Sequence, residues 1–169
     1  MAEPSPTSAL TAPASSDAAT LAHVNSYHST RCCASPIYAF LFGEADASLI
    51  RFTNATRGLF TARLTLSDRH LNSSGSIHGS VSATIVDWAG GLAIAAWDLR
   101  TSTGVSVDIN ISYLSGARLG QEVEIEGKVE RVGANLAFTE VRIWKVDACG
   151  EGTRGALVAS GRHTKFVKH

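Results

Sequence analysis

Along the chain the spacing of apolar residues changes period, and the changes mark the elements. The runs LIRFTNA (49–55) and GLFTARLTL (58–66), separated by Arg57-Gly58, predict two short strands with a tight link. A polar Gly/Ser loop covers 67–77. Beyond it Val81, Ile85, Trp88, Leu92 and Ala96 recur at helical spacing, and no proline follows Pro36, so one buried central helix is predicted over about 79–98. The period then falls to two. In VSVDINISY the residues Val105, Val107, Ile109, Ile111 and Tyr113 are apolar, while Ser106, Asp108, Asn110 and Ser112 are polar. That alternation predicts a half-buried strand with Ser106 on the face opposite the apolar stripe. EVEIEGKVERV and LAFTEVRIWKV alternate likewise across Gly133-Ala134-Asn135, which predicts a hairpin, and a last strand at about 154–166 follows the turn around Cys149-Gly150-Glu151-Gly152. Two strands, a long helix and four strands joined by mostly short connections predict an α+β domain over 44–169, a largely antiparallel sheet wrapped around one helix. Residues 19–43 are expected to add an N-terminal helical segment on the outside, preceded by an Ala/Ser/Thr/Pro-rich disordered tail over 1–18.

Composition narrows the class of partner. A chain of 169 residues with 44% hydrophobic content suffices for one sizeable core, and fifteen basic residues balance fifteen acidic ones. Neither a nucleic-acid footprint nor a basic membrane-binding surface is expected, which leaves small molecules and protein surfaces. Cys32 and Cys33 are adjacent and Cys149 stands alone, an odd set without CxxC or zinc-ligand spacing, so no metal site is expected and a reducing, cytoplasmic setting fits. The first twenty residues lack a basic start and an apolar run, and the first arginine is Arg31, so neither a secretory signal nor a transit peptide is read there. The Asn-x-Ser/Thr matches at Asn54, Asn72 and Asn110 are then chance. The run Ile77–Trp97 has the length of a membrane span. Asp87 sits near its midpoint, however, where a carboxylate costs about 2.5–3.5 kcal/mol, and no second such segment exists to pair with it, so a buried core helix is expected.

Why that helix carries an acid is the question its sequence raises. Positions sharing a face with Asp87 are small, Ser80, Ala83 or Thr84, and Gly91, while the bulky side chains lie on the opposite stripe, which implies a cleft beside the carboxylate. At the helix start, with Ser76 or Ile77 before the turn, the N–H groups near Gly79 are unsatisfied donors at the positive end of the helix dipole. Such donors can hold an oxyanion, and one of them contributes about 2.7–4 kcal/mol to transition-state stabilisation. By themselves these residues fit better a capped core helix with one structurally satisfied, hydrogen-bonded aspartate.

The block HLNSSGSIHGSVSATIVDWAGG, then TGVSVDINISYLSGARLGQEVEIEGKV, and the ending ASGRHTKF resemble the hotdog-fold acyl-CoA thioesterases of the phenylacetate-degradation (PaaI-like) type, which include the animal thioesterase superfamily member 2. The likeness covers about residues 45–167. In that family a loop Asn, a His-Gly-Gly at the helix start, a helix Asp and a strand Ser build the site, which by position are Asn72, His78-Gly79, Asp87 and Ser106. This chain departs from the pattern at Ser80, where the family has a second glycine.

The resemblance implies hydrolysis of an acyl-CoA, medium- or long-chain or aryl, to free acid and CoA without metal or redox cofactor. The Gly79 amide would hold the oxyanion. Asp87 would activate water or attack the carbonyl itself. Asn72 would orient water or thioester, unless it is simply a turn former. His78 would fix the loop by a side-chain bond to backbone, and Ser106 is assigned to the site beside the plainer reading of an exposed strand serine. A dehydratase acting on a 3-hydroxyacyl thioester and a catalytically silent acyl-thioester or lipid-binding module are the alternatives. Trp88 and Trp97 are expected in the core. Gly79 and Asp87 stand eight residues apart, about 12 Å of helical rise, so one carbonyl cannot meet both on the same helix. A homodimer with shared active sites follows, which a tetramer could extend.

Overall fold

The computed structural model describes residues 17–43, 49–147 and 152–168. Residues 1–16 of the expected tail, and most of the expected turn around Cys149, lie outside this range. Six antiparallel strands, β1 (Ile50–Thr56), β2 (Leu59–Thr65), β3 (Val105–Tyr113), β4 (Glu122–Val132), β5 (Leu136–Val146) and β6 (Arg154–Phe166), form one sheet in the order β1-β2-β4-β5-β6-β3. The predicted strands agree with these to within one residue. β2 and β3 are not neighbours in the sheet, because the long helix α3 (Gly79–Asp98) carries the chain from one side of it to the other edge.

α3 touches every strand and supplies the middle of the core. Ile85, Val86, Ala89, Leu92, Ala93 and Ile94 are fully buried on it. α3 is long and apolar enough to cross a membrane, yet 67% of its most apolar window is buried inside the protein. It is a core helix.

The N-terminal segment differs from the single outer helix expected of it. It forms α1 (Ala18–Tyr27), a π turn (His28–Cys32) and a short α2 (Pro36–Phe42). Asp17 caps α1 by accepting from the Ala19 and Thr20 amides, and Pro36 opens α2 behind Ser35, where its missing N–H costs nothing. Val24, Leu41 and Phe42 are buried in the main core rather than laid on its surface. The reason is aromatic packing: Trp88 of α3 is ringed by Phe42 at 4.6 Å, Phe60 at 5.7 Å and Phe52 at 6.0 Å between ring centroids. Its Nε1–H donates to His28 Nδ1 at 3.2 Å. Trp97, by contrast, is only partly buried, with the Arg57 guanidinium 4.4 Å from its ring centroid.

β3 also departs from expectation. It is exposed along nearly its whole length, as an edge strand with no neighbour beyond it in the chain. A β-bulge between Ser106 and Asp108 makes Val107 the extra residue and changes which residues share a face. Ser106 stands opposite Lys165, Ile109 opposite His163 and Ile111 opposite Gly161, so all three turn toward α3 with the buried side of β6. Strict alternation had put Ser106 on the other face.

Phe42→Ala should lower unfolding stability by about 3–5 kcal/mol, since it removes the ring that docks α2 on Trp88. Chemical denaturation of the two proteins checks it, and a loss below about 1 kcal/mol would mean that α2 is not part of the cooperative core.

Candidate active site

The segment before α3 is built to present the helix start. Asn72 Oδ1 accepts from the Ser74 and Ser76 amides at 2.9 and 3.1 Å, and the Asn72 amide donates to Ser76 O at 2.8 Å, closing the loop on itself. The Asn72 carbonyl oxygen is therefore a turn former, and the side-chain NH2 is what it can offer a ligand. His78 is itself the N-cap. Its Nδ1 accepts from the Ser80 amide at 3.1 Å and from Ser80 Oγ at 2.7 Å, so its side-chain bond goes to the first turn of the helix rather than to the loop. His78 O accepts from the Val81 and Ser82 amides. This distribution leaves the Gly79 N–H as the first-turn donor with no partner among the described residues. The Ser80 hydroxyl is spent on the His78 ring.

Eight residues along α3, Asp87 lies in a second cluster. Tyr38 of α2 donates its hydroxyl to Asp87 Oδ2 at 2.7 Å, and Ser106 of β3 donates to Oδ1 at 3.1 Å. His163 Nε2 is 2.9 Å from Ser106 Oγ. Since Ser106 gives its one hydrogen to an oxygen that can only accept, its own lone pairs face His163, which must carry its proton on Nε2. The order is His163 to Ser106 to Asp87. Lys165 Nζ is 4.0 Å from Asp87 Oδ1. The structure thus brings Asp87 and Ser106 together, and keeps Asn72, His78, Gly79 and Ser80 at the other end of the same rod.

Burial tunes the surrounding groups. It holds the His163 imidazole down to about 4, with Lys165 pushing the same way and Asp87 opposing, so this ring is neutral at physiological pH and its 3.6 Å approach to Asp87 Oδ1 is not an ion pair. The Val86 and Asp87 backbone oxygens also favour its protonated form, but none makes a hydrogen bond to Nδ1. Lys165 is lowered by burial and held up in part by Asp87. Burial and the neighbouring Cys33 and Asp87 push the Cys32 thiol up to about 12, which makes it inert. A cavity of about 160 Å3 opens beside Asp87, bordered by Tyr27, Arg31, Cys32, Tyr38, Thr103 and Lys165. A larger hollow of about 220 Å3, bordered by His28, Cys33, Phe42 and Phe52, holds no group charged at neutral pH among the described residues, since burial lowers His28 to about 4. The chemistry belongs to the smaller one.

Tyr38, His163 and Lys165 did not stand out in the sequence. His163 and Lys165 had a signal: in ASGRHTKF they alternate with exposed residues on the strand face that also carries Ala159 and Gly161, a buried stripe that turns polar at one end. Tyr38 had none.

Fold and site together define a hotdog thioesterase: an antiparallel sheet wrapped on one helix, with an amide donor at its start and an acid in its middle. Residues 74–148 match the model of the thioesterase superfamily, and the chain belongs to that family of thioester hydrolases. It is 38% identical over 118 residues to human acyl-coenzyme A thioesterase 13, covering 70% of this chain and 79% of the relative. The solved structure of mouse thioesterase superfamily member 2 superposes with a TM-score of 0.69 at 27% identity, covering 89% of this chain and 98% of the mouse one. The zebrafish counterpart gives 0.65 at 29% identity, covering 86% and 94%.

His163 reaches Asp87's neighbourhood only because α3 has no side chain at Gly90: a Cβ there would lie 2.6 Å from His163 Nδ1 and 2.8 Å from Thr139 Oγ1. Gly90→Ala should therefore cost about 1–3 kcal/mol of stability despite its better helix propensity. A thermal midpoint equal to or above that of the unmodified protein would show that the imidazole can move aside.

Proposed function

We propose that the chain hydrolyses an acyl-CoA, medium- or long-chain or aryl, to the free acid and CoA, at sites that each draw on two copies of the chain. The similarity to acyl-coenzyme A thioesterase 13 supports the substrate class. The observation that carries the two-chain site is the division of labour along α3, where a Gly79 N–H without a partner among the described residues and the Asp87 carboxylate stand about 12 Å of helical rise apart.

A second copy has a surface to use. β3 is a nine-residue edge strand with no strand beyond it among the described residues, and its Val105 and Val107 are 66% and 60% exposed. Natural proteins rarely leave so apolar an edge open. Pairing of β3 with β3 of a second copy about a two-fold axis would cover it and set the two α3 helices side by side in opposite directions. The start of each would then approach the middle of the other.

In this site Gly79 of one copy donates its N–H to the thioester oxygen, with the Asn72 side-chain NH2 as an additional donor. Asp87 of the other copy takes a proton from water, and the oxygen of that water attacks the carbonyl carbon. The tetrahedral intermediate then expels the CoA thiolate, which takes up a proton, and leaves the acid. The hydrogen bonds to both Asp87 oxygens favour the base over the nucleophile. A carboxylate held on two sides can still accept a proton through a free lone pair, whereas bonding to carbon would pull it out of its cradle. A dehydratase would need an imidazole that touches substrate; the His163 side chain is fully buried, and His78 is engaged through Nδ1 as the N-cap of α3.

Release of free thiol from an acyl-CoA panel is the primary measurement, with loss of water from a 3-hydroxyacyl-CoA, or binding with neither reaction, as the outcomes that would replace this reading. Asp87→Asn should reduce turnover by orders of magnitude with the fold retained, and near-normal turnover would overturn the mechanism. Asn72→Ala should cost less, because it removes a donor and leaves the base. The two-chain arrangement is tested by complementation. Gly79 is the first helical residue and follows an extended His78, so Gly79→Pro fits the backbone while deleting the amide hydrogen. Gly79→Pro and Asp87→Ala homodimers should each be inactive, and their heterodimer should regain one working site of two. Heterodimers as inactive as their parents would refute the shared site.

A further inference from the structure

We infer that Tyr38 is a positioning residue for the Asp87 carboxylate, supplied to the site by the N-terminal segment. The inference rests on the reading of Asp87 as the general base. Tyr38 lies outside residues 74–148, the stretch that matches the family model, and reaches Asp87 inside it.

The register that delivers it is fixed on both sides. Phe42 stacks on Trp88 at 4.6 Å, and one turn earlier on the same face of α2 stands Tyr38, with its ring 6.1 Å from that of Phe42. One residue before Trp88 on α3 is Asp87. Docking the aromatic pair therefore aims the phenol at the acid. The C-terminal carbonyls of α2 are tied down in turn: His70 Nε2 meets Leu41 O at 2.6 Å, and Arg69 Nη1 donates to Phe40 O at 2.9 Å. Both tethers come from the 3-10 turn Asp68–His70, just before the Asn72 loop. A seven-residue helix with little stability of its own is thereby held rigid where it matters.

The phenol can only donate here. Burial and the Asp87 charge raise its ionisation well above the ordinary tyrosine range, so it keeps its proton across the working pH. Asp87 Oδ2 is consequently committed, and proton abstraction is left to the remaining lone pairs. The other groups facing the carboxylate are His163 and Lys165 from β6 and Ser106 from β3, with Cys32 of the π turn and Arg31 bordering the same cavity. Among the described residues, Ser106 donates to Oδ1 and Tyr38 holds Oδ2.

The test compares Tyr38→Phe, Tyr38→Leu and Asp87→Asn in the full-length chain, following acyl-CoA hydrolysis from pH 5 to 9. A hydrogen bond donated to a carboxylate favours its charged form. Removing the hydroxyl should move the acidic limb of the kcat profile up by about one pH unit in both Tyr38 variants. Plateau kcat should fall about tenfold, with KM within about twofold. The limb's position does not depend on how much enzyme is folded, so it remains readable in a destabilised variant. A limb that stays in place in Tyr38→Phe, whatever happens to kcat, overturns the proposal and makes Tyr38 a packing residue. Near-normal turnover of Asp87→Asn is a separate outcome that removes the base assignment itself.

Discussion

The structure depends on how closely α3 can approach the sheet. At Gly161 of β6 a Cβ would lie 2.7 Å from Val86 Cγ2, and at Gly127 of β4 it would run into the Phe60 ring and come within 2.9 Å of Ala89 O. Gly90 provides the same allowance from the helix side, against His163. These missing side chains let the backbone of α3 settle into the curve of the sheet. A helix held one side chain further out would leave Ser106, His163 and Lys165 short of the Asp87 carboxylate. The packing that stabilises the fold and the geometry of the acid are thus one constraint.

Much of this was legible in the residues. The change of period from two to 3.6 and back located the strands and α3, because burial on one face acts on every residue of a regular element. The spacing argument on Gly79 and Asp87 needed only the rise of a helix. Three features resisted. Ser106 was assigned to the outer face because alternation counts residues, and a bulge at Val107 breaks the count without any glycine or proline to announce it. β3 looked half-buried throughout because its apolar residues implied a covering layer, and within one chain Val105 and Val107 stay largely exposed. Tyr38 joins the site through tertiary packing between segments 49 residues apart, and no local pattern encodes that.

The Asp87 environment distributes work among unlike groups. Neutral donors, Tyr38 and Ser106, set where the oxygens lie, since they bond directionally. Lys165, 4.0 Å away, offsets charge without fixing orientation. His163 acts one step removed, holding the Ser106 hydroxyl by its Nε2 proton, and its low proton affinity keeps that bond pointed the same way through the neutral range. An acid on an apolar helix is accommodated there because each of its oxygens has a hydrogen-bond donor.

One consequence lies in α3 being a single rigid body. In the proposed pair each helix contributes its first turn to one reaction centre and its middle to the other. A helix seated on the sheet at three glycines and stacked on Phe42 has little freedom to stretch or bend between those points. A shift of the first turn on binding thioester would be passed along α3 to the carboxylate serving the opposite centre. Occupancy of one centre would then alter the geometry, and with it the readiness, of the other, so that the pair turns over as one machine whose halves need not fire together.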